Sequence, residues 1–161
     1  MARFTGKVAI VTGGASGIGR ATAMLLARDG ARVCVADRNG KGADEVAREI
    51  GAAGGEAFGI EVDVAQPEPN ERMVAATREK YGAVHLGHLN AGIARGSAIA
   101  GGSVEDWDAV IAVNLRGVFL GMRALAPVVR ESGGGALVAT SSVAGLRGSI
   151  GMPSYYASKH G

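Results

Sequence analysis

Short unbroken apolar runs alternate along the chain with longer stretches whose apolar positions recur every three or four residues. The runs "KVAIVT" (7–12), "ARVCVAD" (31–37), "EAFGIEVDV" (56–64), "AVHLGHLN" (83–90) and "GALVAT" (135–140) predict five strands. Between them the spacing predicts a helix over 17–29, with Ile18, Ala21, Leu25 and Ala27 or Arg28 at helical intervals and Gly30 as its stop. Further helices are predicted over 41–50, over 68–81 up to Gly82, and from Ser103 to about Arg130. Ser103 and Asp106 form a capping-box pattern at the start of that long helix. Pro153 opens a last helix, where proline's missing N–H costs nothing.

Strands without polar alternation are buried on both faces, so strand–helix alternation implies a parallel sheet covered by helices. Right-handed crossovers then make a doubly wound, three-layer α/β/α sheet, one domain over 1–161. On the long helix Trp107, Val110, Ile111, Val118 and Met122 lie on one stripe with Asn114. The stripe is expected to pack as core, and the Asn114 amide within it needs hydrogen-bond partners.

Composition narrows the function. Glycine supplies 27 of 161 residues without a fixed period, which points to turns and close backbone approaches, not to a repeat or linker. The net charge of +2 and 4 % aromatic content include no cluster of Lys/Arg with stacking rings, so no nucleic-acid partner is expected. The first apolar run turns to glycine after four residues, too short for a signal core or membrane span. Cys34 stands alone, which fits a reducing, cytoplasmic setting and a small buried hydrophobe within a strand. His85 and His88, three apart on a strand, point to opposite faces and do not clamp one metal ion.

The candidate chemistry begins with "TGGASGIG" (12–19), a TGxxxGxG pattern between the first strand and first helix. Gly13, Gly17 and Gly19 allow positive φ and close approach of a phosphate, and the helix N-terminus following them offers free N–H groups. Asp37 ends the second strand, where a carboxylate can accept the ribose hydroxyls of NAD. It would repel a 2′-phosphate at about 4 Å by roughly 4 kcal/mol per unit charge at an effective dielectric of about 20. Arg38 could instead pair with that phosphate. Asp37 is taken to prevail, because the glycine loop carries no Lys or Arg of its own.

Read with "NAG" (90–92), Asn114, "SSVAG" (141–145) and the Tyr155–Lys159 pair, these motifs resemble the short-chain dehydrogenase/reductase family and its Rossmann fold, over the whole chain. The resemblance implies that Gly13, Gly17, Ile18 and Gly19 cradle a pyrophosphate and that Asp37 selects NAD over NADP. It also implies that Asp63 and Val64 flank the adenine, and that Asn90, Ala91 and Gly92 lie along the cofactor. It assigns catalysis to Asn114, Ser142, Tyr155 and Lys159, with Tyr155 and Lys159 also at the cofactor. Of the adjacent tyrosines, only Tyr155 precedes Lys159 by four residues and so shares its helix face.

A phenol is a poor base at neutral pH, and an ammonium nearby favours its ionised form. The expected activity is therefore hydride transfer between NAD(H) and a secondary alcohol or ketone, with Tyr155 as acid/base, Lys159 on the nicotinamide ribose, Ser142 on the substrate oxygen and Asn114 holding a water. The alternatives are an NADPH-dependent 3-ketoacyl-type reductase, if Arg38 outweighs Asp37, and a non-catalytic NAD-binding module, if the chain ends at Gly161.

The fourth strand departs from the family pattern: Leu89 stands where a second asparagine is usual, and Gly87 and His88 interrupt an apolar run. Family members continue past the lysine with two further strands. "ALVAT" likewise reads as a doubly buried strand placed last, at an edge. We therefore expect an N-terminal part of a longer enzyme. A homo-oligomer, by preference a tetramer, is expected through the helices carrying Asn114 and Tyr155.

Overall fold

The computed structural model describes residues 2–96 and 98–161. Strands β1 (Val8–Thr12), β2 (Arg32–Asp37), β3 (Glu56–Glu61), β4 (Leu86–Leu89) and β5 (Ala136–Ala139) form one parallel sheet in the order β3-β2-β1-β4-β5. The winding reverses at β1: β2 and β3 lie to one side and β4 and β5 to the other. In such sheets the crevice opens at the carboxyl ends of the strands beside the reversal.

The two faces follow from the period of two along each strand. Ala9, Val11, Val33 and Val35 face helices α1 (Gly17–Arg28) and α2 (Gly40–Ala52), packing on Ala23, Ala27, Ala43, Val46 and Ile50. Ile10, Cys34, Ala36 and Leu89 face α3 (Pro67–Tyr81) and α5 (Gly117–Glu131), packing on Met73, Val74, Leu125 and Val129. Burial pushes the Cys34 thiol up to about 12, with a hydrogen bond to Thr77 working against it, so the thiol stays protonated inside the core.

Several expectations need correction. In α1 the buried residues are Gly19, Ala23 and Ala27, whereas Ile18 is 66 % and Leu25 is 49 % exposed. Small residues turn inward because α1 lies close on the sheet, so the bulkier apolar positions do not mark the buried face. β3 ends at Glu61 rather than 64, since Asp63 Oδ1 accepts from Ala65 N and turns the chain. β4 begins at Leu86; before it, the His85 ring takes the Val8 N–H.

The long helix covers 104–131 but in three pieces: α4 (Val104–Ile111), a π-helical turn Ala112–Arg116 and α5. Ser103 Oγ accepts from Asp106 N at 3.0 Å as the capping pattern predicts. The Asp106 carboxylate pairs with Arg95 instead of closing the box. The Trp107–Met122 stripe is not a core stripe: Val110 and Asn114 are buried, but Trp107 is 41 % and Met122 is 37 % exposed, joined by Val104 and Phe119 on the outside.

Helix-to-sheet spacing is set by glycine. A Cβ on Gly121 would lie 2.6 Å from Leu89 Cδ2, and one on Gly87 would lie 2.8 Å from Leu125 Cδ1, so α5 and β4 interlock. Gly87 is thus the contact that lets a central strand meet its helix. A Cβ on Gly59 in β3 would meet Asp44 and, at 2.7 Å, the Ala43 carbonyl carbon in the backbone of α2. Backbone cannot rotate away as a side chain can, so Gly59→Ala is expected to destabilise the fold by about 1–3 kcal/mol. A thermal melt should shift downward by several degrees; an unchanged midpoint would contradict this packing.

Candidate functional site

A cleft of about 980 Å³ opens at the carboxyl ends of the strands. Asp37 and Arg38 line one region of it, Gly13 and Ser16–Ile18 the loop after β1, and Val62–Ala65 the loop after β3. Asn90–Arg95 follow β4, and Thr140, Ser141, Ser142, Tyr155 and Lys159 complete the wall. Of the residues assigned to catalysis or cofactor binding in the sequence, all line this cleft except Gly19 and Asn114, which are buried.

Local physics explains the glycine loop. Gly13 and Gly17 have φ of 65° and 53°, conformations that strain any residue with a Cβ. A Cβ on Gly13 would also lie 2.9 Å from Ala91 Cα, and one on Gly19 would collide with Gly13 O. Ser16 precedes α1 without a side-chain cap, whereas Asn39 and Ser103 cap α2 and α4. The first N–H groups of α1 are therefore left for the cleft.

Asp37 holds this loop in place. Its Oδ2 accepts from Ala15 N at 3.0 Å and its Oδ1 from Asn39 N at 2.9 Å. Each oxygen keeps further lone-pair capacity for hydroxyl donors. Arg38 lines the cleft beside it.

At the other end, α6 (Pro153–His160) carries Tyr155 and Lys159 on one face. Lys159 Nζ donates to Thr140 O at 2.7 Å and stands 5.8 Å from the centre of the Tyr155 ring. Ser142 Oγ accepts from Ala144 N, capping the short 3-10 turn Val143–Gly145. Tyr156 does not line the cleft; its backbone carbonyl is bonded to the His160 ring instead.

Asn114 is buried in the π-helical turn. Its Oδ1 accepts from Ile93 N at 2.8 Å, while Nδ2 donates to Ile93 O and to Ser158 Oγ. The side chain thus ties the loop after β4 to the residue preceding Lys159. Among the described residues, no three His, Cys, Asp or Glu side chains gather as a metal site.

Sequence reasoning missed the residues that join these parts. Thr12 Oγ1 accepts from Asn90 N at 3.0 Å and Ala91 N at 3.2 Å. Thr140 Oγ1 donates to Asn90 Oδ1 and meets His88 Nε2 at 2.9 Å. The available signal was a hydroxyl residue ending an apolar strand, which "VAIVT" and "ALVAT" both show. Arg95, paired with Asp106, and Ser158 were missed as well.

A doubly wound α/β chain with its cleft at the winding reversal is thereby defined, and comparison with known proteins specifies the family. The sequence profile of the short chain dehydrogenase family matches residues 7–161, and the chain belongs to that family. It is 42 % identical to a cyclohexanol dehydrogenase of Acinetobacter sp. over 160 residues, 99 % of this chain and 64 % of that protein. It is 38 % identical to a 3-oxoacyl-[acyl-carrier-protein] reductase of Synechocystis sp., covering 100 % of this chain and 66 % of that one. A solved short-chain dehydrogenase/reductase from Burkholderia phymatum, in complex with NAD, superposes with a TM-score of 0.95 at 37 % identity, covering 99 % of this chain and 57 % of its own. The chain spans about three-fifths of the length of these relatives.

Two outcomes follow from the site's geometry. Removing the Asn114 amide strands the Ile93 N–H and C=O, so Asn114→Ala should cost about 1–3 kcal/mol in a denaturant titration. Burial also lowers the pKa of His88 below its ordinary 6.5. The unfolded chain then binds that proton more readily, so the stability from neutral His88 is full above about pH 6.5 and falls as acid is added. The melting temperature should drop more steeply between about pH 7 and 5 in wild type than in His88→Gln, although His85, also lowered, leaves part of the slope in both.

Proposed function

We propose that this chain carries the dinucleotide site and catalytic side chains of an oxidoreductase that interconverts secondary alcohols and ketones with NAD(H). The carrying observation is that Tyr155, Lys159 and Ser142 share one cleft with the glycine loop and Asp37. The residues suit a dinucleotide: a Cβ would fill the cradle at Gly13, and the N–H groups of α1 are uncapped toward the cleft. Gly13, Gly17, Ile18 and Gly19 would hold the pyrophosphate. Asp37 and Arg38 would face the adenosine ribose, Asp63 and Val64 the adenine, and Asn90, Ala91 and Gly92 the remaining length. Bound there, a nicotinamide cofactor supplies the hydride acceptor or donor.

The chain's own residues handle the proton and the oxygen. Tyr155 takes the hydroxyl proton of the alcohol, or returns it in reduction, with the Lys159 ammonium 5.8 Å from the centre of its ring. Because Ser142 Oγ already accepts from Ala144 N, its hydroxyl proton is free to donate to the substrate oxygen. Asn114 acts by position. Its amide hydrogens are both used on Ile93 O and Ser158, so a water relaying protons to Lys159 would rest on an oxygen.

Asp37 favours NAD over NADP in this reading. Its carboxylate is pinned by two backbone N–H groups and cannot swing away from a 2′-phosphate. Arg38 beside it supports a second reading, an NADPH-dependent 3-ketoacyl-type reductase. The exposed Val104, Trp107, Phe119 and Met122 on the outer face of α4 and α5 support a homo-oligomer; a tetramer and a cytoplasmic setting remain the preferred expectations of the sequence.

In the intact protein, Tyr155→Phe should lower turnover of secondary alcohols by at least about 100-fold, as loss of a general base does, with NADH affinity nearly unchanged. Undiminished turnover would defeat the assignment. Calorimetry with NADH and NADPH separates the two readings: Asp37→Ala should narrow a preference for NADH, and tighter NADPH binding by the wild type would favour the reductase.

A further inference from the structure

His88 is a titratable group in the middle of the sheet that the proposed reaction does not use. It lies in β4 between β1 and β5, and its Nδ1 is buried with no hydrogen-bond partner among the described residues. Its Nε2 meets Thr140 Oγ1 at 2.9 Å. The direction of that bond follows from the groups beyond it. Asn90 Nδ2 donates to Thr12 O at 3.2 Å, with Gly13 O at 3.5 Å, which orients the amide and turns Oδ1 toward Thr140. Oδ1 can only accept, so the single Thr140 hydroxyl proton goes to it, over 3.2 Å. Thr140 Oγ1 must then accept from the histidine, and Nε2 must carry the hydrogen. The orphaned Nδ1 fits this assignment, because a bare lone pair in an apolar setting costs less than a stranded N–H. Thr140 is also the residue whose carbonyl receives Lys159 Nζ at 2.7 Å.

We infer that His88 is a positioning residue that, as the Nε2–H tautomer, fixes Thr140 and through it the Asn90 amide that seats the glycine loop. One directed chain runs from His88 to Thr140 to Asn90 to the carbonyls of Thr12 and Gly13. It links the strand end that anchors Lys159 to the loop expected to hold the pyrophosphate. Histidine supplies what an aliphatic residue at this position cannot: a donor that leaves the Thr140 proton a single destination. The consequence for affinity rests on the dinucleotide reading of the cleft; the hydrogen-bond chain does not.

Long-range proton–nitrogen NMR of the wild-type ring should show a protonated Nε2 and a bare Nδ1; the opposite tautomer overturns the inference. Calorimetry with NADH on wild type, His88→Leu and His88→Gln gives the second readout. His88→Leu should bind roughly three- to tenfold more weakly, the range expected for one lost hydrogen bond. Glutamine, which keeps an N–H donor at similar reach, should restore most of the affinity. Equal binding by wild type and His88→Leu overturns the inference, as does failure of glutamine to restore it. Should the wild type bind neither NADH nor NADPH, the dinucleotide reading fails. The positional claim is then decided by the Gly13 and Ala91 amide resonances, which must move in His88→Leu and return in His88→Gln. If His88→Leu does not fold, the ring tautomer and the His88→Gln spectrum decide it.

Discussion

Parallel strands that stop together strand their last carbonyls and amides at one end of the sheet, and the cleft exists because those groups satisfy one another. Thr12 at the end of β1 takes the amides of Asn90 and Ala91, which follow β4. Asn90 returns its side chain to the carbonyl of Thr12. Thr140, just past β5, gives its hydroxyl to Asn90 and its carbonyl to Lys159. The links join the ends of β1, β4 and β5 to one another and to α6, so the loop after β1, the wall after β4 and the lysine on α6 are placed by one polar seam. Each unmatched group in a half-buried polar network of this kind costs stability, which ties the shape of the cleft to residue identities far apart in sequence.

Close approach is the second constraint, and it serves the first. Gly13 passes Ala91 too closely for a Cβ, and Gly19 closes on the Gly13 carbonyl. On the far side Gly121 and Gly87 let α5 sink against β4 and hold it level with β1. Part of the high glycine content thus reflects close contacts between backbone and neighbour, and part reflects turns at positive φ such as Gly82 and Gly133, where a Cβ would meet nothing within 4 Å.

Most of the architecture was legible in the sequence because apolar runs of strand length and helical spacing are local signals. The glycine loop, Asp37, and the four-residue step from Tyr155 to Lys159 were legible for the same reason. What escaped was non-local. Residue size inverted the reading of α1, where small Ala23 and Ala27 face the sheet and larger Ile18 and Leu25 do not. The π-helical turn left no local signal, and the bonds that Asn114 makes from within it, to Ile93 and Ser158, span 21 and 44 residues of chain. His88 stood out only as an interruption of the fourth strand, Thr12 and Thr140 only as strand ends, and the register of β1, β4 and β5 brings the three together.

The long helix shows how composition can mislead where burial does not. Over 104–131 it is long and apolar enough to span a bilayer, with a mean hydropathy of 1.5 in its best window, of which 33 % is buried. That hydropathy is the sum of two faces. One face presents Val110, Leu120, Leu125 and Val129 inward, the last two into the core shared with α3 and the sheet. The other leaves Val104, Trp107, Phe119 and Met122 outside. Between them run groups that a lipid-facing helix would have to strip of partners: Asn114 bonded to Ile93, Arg116 to the Ala65 carbonyl, Arg123 to Glu71. A helix with one apolar face committed to a sheet and polar anchors at its flanks is a scaffold element, and its outer face is where further apolar burial would add stability.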